Sequence, residues 1–383
     1  YKSNVHWGPF YGWNASDGSM FGAAFYNTVF PHRSFEYLVA PMFGLQSLEP
    51  SVVALVQYNV FPKSKKFQKI TFGVQGRSFN FFTQDEIGYS LRFSKWSPYI
   101  NVHFKQKNLS TFKHWLELKA SALWREKAGF NNDGRFLGTT WQRNTFFKVA
   151  YSGRNKRLIH PYSYRLIGEL LEFDEITGVN QYIRASIETQ NQFTLGPNQH
   201  FYMRFFAGAH LGNFGRNSNS IRPAAFNLIG QGFNDLTYQD SYFGRSETSG
   251  FWSQQITVRE GGFKTPIPIG FPLGRSNDYI VAFNFKVDIP IHNYHEPRIR
   301  PYFDIGYFHN AKPDGEAATF NDQLLWNGGI AFELLDGVFG IYFPLISSRN
   351  LENRLSERGN YINRISFAFD INRGDPRDRW QPY

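Results

Sequence analysis

Residues 279–289 read YIVAFNFKVDI, and this stretch decides the fold class. Every second residue from Tyr279 to Ile289 is apolar, while Asn284, Lys286 and Asp288 lie among the intervening positions. Strict alternation predicts a β-strand that faces an apolar environment on one side and a polar environment on the other. The same pattern recurs in WLELKASALW (115–124) and in YINRISFAFDI (361–371).

The composition narrows the class of protein. The chain has 383 residues, of which 19% are aromatic, and its mean hydropathy is −0.43. No stretch approaches the roughly 18 consecutive apolar residues of a transmembrane helix. A transmembrane β-barrel is compatible with this hydropathy, because its strands alternate lipid-facing apolar residues with polar residues of the lumen. The absence of cysteine excludes disulfides, zinc–thiolate sites and cysteine nucleophiles.

Sixteen candidate strands follow one another, with turn residues between them. Most are about 9–13 residues long, close to the roughly 9–11 residues of a tilted strand that crosses a bilayer. Strands of soluble proteins average only about 5–6 residues. The sequence therefore predicts an all-β, transmembrane, antiparallel up-and-down barrel of about 16 strands, formed by residues 1–383 as one domain. The candidates are 4–12, 18–30, 34–44, 50–62, 66–80, 97–107, 113–125, 144–153, 159–172, 181–194, 199–210, 279–289, 298–309, 323–334, 337–346 and 361–372.

The connections between these strands alternate between a mostly short and a long set. Outer-membrane barrels have short turns toward the periplasm and long loops outside the cell. This alternation predicts a bacterial outer-membrane location, with both termini, including the tail 373–383, in the periplasm. The short set is 31–33, 63–65, 108–112, 154–158, 195–198, 290–297 and 335–336; the long set is 81–96, 126–143, 211–278, 310–322 and 347–360.

The longest connection, residues 211–278, is rich in Gly, Asn, Ser, Pro and aromatic residues and holds no regular period. A loop of this length inside a compact domain is either functional or evidence against the assignment. We interpret it as an extracellular loop that folds into the lumen of the barrel and blocks it.

The segment PYFDIG contains Phe303, Asp304 and Gly306, which resemble the F-x-D-x-G element of the Omp85 superfamily. In that family a long extracellular loop enters the lumen, and its arginine pairs with the strand aspartate. The family's V-R-G-[FY] motif is absent here. The resemblance implies Arg245 in FGRSETSG as the partner of Asp304, with Arg259 in TVREGG as the alternative. An arginine and a carboxylate can form a bidentate contact that pins a loop.

A narrower resemblance covers most of the chain. WGPFYGWNASDGSMFGAAFYN (7–27), GGFKTPIPIGFPLGRS (261–276) and RPYFDIGYF (300–308) look like the C-terminal barrel region of Bacteroidetes proteins that carry an M1-type zinc aminopeptidase domain upstream. This resemblance implies a membrane anchor to which a peptidase domain upstream of Tyr1 would be tethered.

The sequence contains no recognisable catalytic, cofactor or metal motif. His-Glu-x-x-His and G-x-S-x-G are both absent. The run from His292 to Pro297 (HNYHEP) places two histidines close together, but a solvated turn explains it better than metal ligation. No cofactor is expected, and whether the complete protein is an enzyme stays open.

The charge distribution bears on the partners. The net charge is +10, and its cations are mostly scattered singly along the strands, so that no nucleic-acid groove is expected. The expected partners are outer-membrane lipid, lipopolysaccharide and other outer-membrane or periplasmic protein subunits. Charged residues expected to face the lumen and hold the loop are Arg184, Glu188, Arg204, Lys286, Asp288, Asp304 and Arg364.

Three functions remain open at this point. The first is a plugged, non-enzymatic, Omp85-like barrel that anchors a larger protein or complex. The second is an active translocon that inserts or secretes polypeptides by opening the seam between its first and last strands. The third is a soluble β-rich carbohydrate-binding protein or enzyme.

Overall fold

A computed structural model describes residues 5–27, 33–84, 88–107, 109–175, 178–196, 199–212, 222–268, 273–289, 298–309 and 320–370. It divides into two compact units. Unit 1 contains Tyr1–Tyr151, Glu169–Gln181 and Phe243–Ser246, and unit 2 contains Ser152–Gly168, Tyr182–Tyr242 and Glu247–Tyr383. The histidine turn at 292–295 and the tail 373–383 lie outside the described residues. The single domain stays a prediction.

The predicted all-β class is confirmed, since antiparallel strands dominate the described residues. Among them, no helix is long and apolar enough to cross a membrane. The two α-helices are α1 (Phe320–Gln323) and α2 (Arg349–Ser356). The strands are β1 (His6–Asn14), β2 (Gly18–Tyr26), β3 (Phe35–Gly44), β4 (Pro50–Val60), β5 (Phe67–Gln84), β6 (Tyr89–Phe104), β7 (Phe112–Phe130), β8 (Phe136–Asn155), β9 (Tyr162–Glu175), β10 (Gly178–Gly196), β11 (Gln199–His210), β12 (Phe226–Asn227), β13 (Gly230–Gln231), β14 (Gln255–Thr257), β15 (Arg275–Ser276), β16 (Tyr279–Val287), β17 (Arg298–Phe308), β18 (Leu324–Leu334), β19 (Phe339–Ser347) and β20 (Ser366–Phe369).

In unit 1, each strand from β1 to β6 pairs antiparallel with the next strand along the chain. In unit 2, β11 pairs with β10 and with β16, and the ladder continues through β17, β18 and β19 to β20. The strands β11 and β16 are therefore neighbours although the long loop separates them in sequence. Closure into a cylinder and the number of 16 barrel strands stay predictions.

Two of the predicted long loops, 81–96 and 126–143, are wrong. β5 and β6 continue through the first region and leave only 85–88 as a connection, while β7 and β8 shorten the second to 131–135. In the first region the register shifts between Asn80 and Phe82. Such a bulge shifts the alternation of apolar and polar residues by one position, so a strand predicted from that alternation stops at the bulge.

The last predicted strand, 361–372, is also shorter than expected. Tyr361–Arg364 forms a 3₁₀ turn, and β20 begins only at Ser366. One edge of β20 pairs with β19, and the other pairs in parallel with β14 of the long loop. The first three residues of β20 are buried.

The polarity of the strand faces in unit 1 is inverted relative to a water-soluble sheet. Apolar side chains on alternate positions are exposed, as for Val56 (40%), Phe72 (47%) and Leu118 (39%). The buried positions between them carry polar residues that bond to one another. These pairs are Gln57 with Glu36 (2.5 Å), Tyr99 with Gln57 (2.7 Å), Thr71 with Asn59 (2.7 Å) and Ser97 with Ser121 (2.8 Å).

The turn between β1 and β2 is built around the buried carboxylate of Asp17. It accepts hydrogen bonds from the side chain of Asn14 (2.8 Å), the hydroxyl of Ser47 (2.8 Å) and the side chain of Asn80 (2.8 Å). The backbone N–H of Asn80 also donates to it at 3.1 Å. One carboxylate thus ties the first hairpin to the β3–β4 connection and to β5.

We predict that Asp17→Ala lowers the free energy of unfolding by about 2–3 kcal/mol, because buried donors lose their acceptor. Asp133→Ala is the matched control, since Asp133 lies exposed in the β7–β8 connection, where surface changes usually stay within about 0.5 kcal/mol. Denaturant titration followed by tryptophan fluorescence measures both. Equal effects of the two substitutions would contradict the role given to Asp17.

Candidate functional site: the docked long loop

The long loop docks in unit 2 on one face of β11, β16, β17 and β18. Strand register places the side chains of this face in rows that run across the strands. The polar row is Arg204, Asn284, Asp304 and Asn327. The apolar row on one side of it is Phe206, Ala282, Gly306 and Leu325, and the third row, on the other side, begins with Tyr202, Lys286 and Tyr302.

The polar row binds residues 260–264 of the loop, the EGGFK segment. Arg204 donates to the carbonyl oxygen of Glu260 at 2.5 Å. The amide of Asn284 donates to the carbonyl oxygens of the next two residues, at 3.0 and 3.3 Å. Asp304 accepts a hydrogen bond from the backbone N–H of Lys264 at 3.0 Å. Three neighbouring strands therefore hold successive residues of one short loop segment.

The centre of this site is a buried ion pair between Asp304 and Lys264. The Lys264 ammonium donates to Asp304, whose side chain is 0% exposed. Asn284 donates to the same carboxylate at 2.9 Å, and the ammonium lies 5.0 Å from the centre of the Tyr302 ring. The carbonyl of Lys264 accepts a hydrogen bond from Ser366 at 3.0 Å, which joins β20 to the same point.

The expected arginine is therefore not the cation on Asp304. Arg259 pairs instead with Asp240 (2.8 Å) and Asp370 (3.6 Å). Burial lowers the pKa of Arg259, but these two carboxylates outweigh it and raise the pKa above its usual value, so that the guanidinium stays charged. Arg245 is nearly buried and belongs to unit 1.

The backbone explains why Lys264 takes this place. Glu260 and Gly262 both have left-handed φ angles, of 47° and 69°. A Cβ on Gly262 would lie 2.7 Å from the Arg204 guanidinium and 2.9 Å from the Asn284 carboxamide oxygen. This tight turn, next to the strands, directs the backbone N–H and the ammonium of Lys264 to one carboxylate. The Gly-Gly pair was the only sequence signal for it.

A second ionic contact fixes the start of the same turn. Arg184 donates to the Glu260 carboxylate at 3.2 Å, and the second oxygen of that carboxylate accepts the backbone N–H of Asn227 at 2.6 Å. Arg204 also donates to Glu188 at 2.8 Å. Of the charged residues expected to face inward, Arg184, Arg204 and Asp304 therefore contact the loop directly, while Glu188 acts through Arg204.

An apolar core lies beside the polar row. It joins loop residues to strands and to α2, and its members are Phe206, Phe226, Leu228, Ile229, Phe263, Ile267, Ile280, Ala282, Phe308, Leu325, Leu351 and Leu355. Gly306 makes room for this core, because a Cβ there would lie 2.7 Å from Leu228 and 2.9 Å from Phe263. Phe303 lies on the opposite face, 36% exposed, against Trp326.

Lys286 of the third row belongs to a network of two cations and two carboxylates. Arg300 donates to Asp288 at 2.6 Å and also contacts Glu333, and Lys286 donates to Glu333 at 2.8 Å. The sequence analysis predicted Lys286 and Asp288 as inward-facing charges but missed Arg300 and Glu333. Their contact with Lys286 and Asp288 becomes visible only when the register of the strands is known. Among the described residues, no group of three His, Cys, Asp or Glu side chains could hold a metal ion.

The loop also contacts the C-terminal part of unit 2. Gln255 and Ile256 of β14 pair in parallel with Phe367 and Ala368 of β20. Arg358, just after α2, donates to the hydroxyl of Ser253 at 2.8 Å. Arg364, which was expected to face the lumen, instead pairs with Glu352 of α2 at 2.6 Å. The polar groups of this site are paired and mostly buried, and their contacts hold the loop against the strands.

A four-residue part of the loop, Phe243–Ser246, belongs to unit 1. Its Phe243 carbonyl accepts the backbone N–H of Ala15 at 2.7 Å, and its ring packs against Trp13 at 6.1 Å. This segment therefore rests on the first hairpin, beside the turn that Asp17 organises.

Comparison with known proteins finds structural likeness without sequence likeness. No protein-family model and no curated protein matches the chain. BamA from Haemophilus ducreyi lacking POTRA domains 1–3 is 10% identical with a TM-score of 0.47, over 90% of this chain and 67% of that one. CdiB from Escherichia coli is 12% identical with a TM-score of 0.44, over 90% of this chain and 59% of that one.

We predict that Lys264→Met and Asp304→Leu each lower the free energy of unfolding by about 3–5 kcal/mol, because each leaves an uncompensated buried charge. The double variant should lose much less than the sum, since it removes both charges. Denaturant titration of the four proteins gives the coupling energy. Arg259→Met combined with Asp304→Leu is the control and should be additive within about 0.5 kcal/mol. Additivity of the Lys264 and Asp304 effects would refute the pair.

We also predict that Gly306→Val displaces Leu228 and Phe263 and loosens the loop, at a cost of about 1–3 kcal/mol for overpacking. Trypsin should then cleave after Arg259 and Lys264 faster than in the wild-type protein. Gly168→Val is the control, because a Cβ at that strand position meets no atom within 4 Å. Unchanged cleavage of the Gly306 variant would show that the loop does not depend on this close approach.

Proposed function

We propose that the chain is a plugged, Omp85-like β-barrel of the bacterial outer membrane. In this proposal it is non-enzymatic and acts as the membrane-embedded module or anchor of a larger protein or complex. The observation that carries the proposal is the inverted polarity of unit 1, in which long strands expose apolar residues and bury hydrogen-bonded polar ones.

Water would select the opposite arrangement. Soluble monomers rarely expose contiguous apolar patches larger than a few hundred Å². Here neighbouring strands expose Tyr58, Phe72, Val74, Trp96 and Phe147, so that the exposed apolar residues continue from strand to strand. Hydrocarbon around this face would remove the cost, and strands cross a bilayer when their backbone groups are paired. This inversion argues against the soluble alternative.

The docked loop supports a plugged barrel over an open pore. In unit 2, Phe283 and Phe303 are exposed on one strand face, whereas Ile280 and Asp304 are fully buried on the face that the loop covers. The loop is held there by the buried ion pair, the polar row and an apolar core. A protein that conducted solutes through this region would first have to break all three.

The C-terminal strand favours the anchor over the translocon. Opening a seam next to β20 requires a free β20 edge. At Phe367 and Ala368 that edge is paired with β14 of the loop. An incoming polypeptide strand would have to displace β14 first, so the described conformation fits a closed module. The narrower resemblance adds the proposal that the module tethers an M1-type peptidase domain. Reading the sequence of the gene product upstream of Tyr1 tests this proposal.

We predict that Val56→Arg, Val74→Arg and Val149→Arg each lower the stability of the membrane-inserted barrel by about 2–4 kcal/mol near the bilayer midplane. Exposed side chains of a soluble protein would tolerate the same changes within about 0.5 kcal/mol. Gln68→Arg, at an exposed polar position next to a connection, is the control. The measurement is urea titration of folding into phospholipid vesicles, read out by tryptophan fluorescence.

The opposite result is equally clear. If the wild-type chain stays monodisperse in detergent-free buffer and all four arginine variants fold equally well, the apolar face meets water and the membrane proposal is wrong.

A further inference from the structure

Charge separates toward the two ends of the unit 1 strands. At one end, the connections 27–34, 61–66 and 105–111 contain six Lys or Arg residues and no Asp or Glu. At the other end, the connections 15–17, 45–49 and 131–135 contain three carboxylates and one cation. We call the first end the basic rim. Its cations are Arg33, Lys63, Lys65, Lys66, Lys105 and Lys107.

The basic rim is continuous in structure. The backbone N–H of Lys105 donates to the carbonyl of Lys66 at 2.8 Å, which joins the β4–β5 and β6–β7 connections directly. Asn59 donates to the Arg33 carbonyl at 2.7 Å and links the β2–β3 connection to the same end. Among the described residues, no carboxylate forms an ion pair with any of the six side chains. The buried carboxylate of Glu36 at this end accepts hydrogen bonds from the backbone N–H of Arg33 and from Gln57, so the rim gathers six like-charged side chains without ion-pairing any of them.

Apolar and aromatic side chains accompany these cations. Leu109 is fully exposed at the β6–β7 connection, and Phe61 is 52% exposed beside Lys63. Next to the rim, Phe104 packs on Phe67 at 5.9 Å and on His114 at 4.6 Å. Aromatic rings that adjoin cations are the pattern of a membrane–water interface, where the rings lie at headgroup depth and the ammonium groups meet phosphates.

We propose that the basic rim binds the phosphate groups of anionic glycerophospholipids in the membrane leaflet that adjoins it. This inference rests on the proposed membrane-spanning function and adds a defined lipid partner at one leaflet. Juxtamembrane cations are attracted to anionic headgroups, and the attraction falls off within a Debye length. The carboxylates at the other end leave that end without an equivalent site.

The test compares two double variants that remove the same charge. K65Q/K107Q neutralises two exposed rim cations, and R135Q/R143Q neutralises two exposed cations of the β7–β8 connection and β8. Each protein is folded into vesicles of phosphatidylcholine alone or with phosphatidylglycerol. Binding of fluorescent phosphatidylglycerol to the detergent-solubilised proteins is then titrated, with lipid A and poly-glutamate in parallel titrations.

The wild-type protein should bind phosphatidylglycerol more tightly than phosphatidylcholine, and added salt should weaken this preference. K65Q/K107Q should bind phosphatidylglycerol about thirtyfold more weakly, whereas R135Q/R143Q should keep the wild-type affinity. Insertion into both vesicle types without a lipid preference would overturn the inference and leave the membrane proposal standing.

Three other results also overturn it. Equal losses in both double variants would show a response to net charge alone. Rim-dependent binding of lipid A or poly-glutamate, but not of phosphatidylglycerol, would assign the rim to lipopolysaccharide or to an acidic polypeptide. Failure to insert into either vesicle would remove the proposed function and this inference together.

Discussion

The arrangement of unit 2 depends on one buried contact, the ion pair between Asp304 of β17 and Lys264 of the long loop. Taking two charges out of water is costly, so such a pair persists only when its geometry is good and its remaining hydrogen-bonding capacity is used. Asn284 and the backbone N–H of Lys264 also donate hydrogen bonds to the Asp304 carboxylate, and Ser366 donates to the carbonyl of Lys264. One point therefore joins the loop to β16, β17 and β20.

This constraint explains features that otherwise look unrelated. The EGGFK segment needs left-handed backbone at Glu260 and Gly262 to reach the strands closely. Gly306 must lack a side chain so that Leu228 and Phe263 can pack above it. Polar and apolar rows lie side by side on the same strand face because the loop, rather than water alone, covers that face. Water alone on that face would not favour an apolar row.

The two faces of the strands are adapted to different surroundings. In unit 1 the outward residues are apolar and exposed while the inward ones are polar and bonded to one another, which is the reverse of a soluble sheet. The proposed bilayer accounts for the outward face. The segregation of charge between the strand ends would let such a module distinguish the two leaflets. Both arguments depend on the proposed surroundings, which are hydrocarbon around the apolar face and lipid headgroups at the strand ends.

The sequence by itself determined the all-β class and the alternation within strands, and a short motif singled out Asp304, because period-two patterning and short motifs are local properties. Only the tertiary structure decided which cation meets Asp304, since Lys264 and Arg259 are close in sequence and a tight turn separates their directions. It also decided the true ends of β5 to β8, with a bulge hiding the period between β5 and β6, and the pairing of β14 with β20. Partners distant in the chain are chosen by register and packing, which no local pattern encodes.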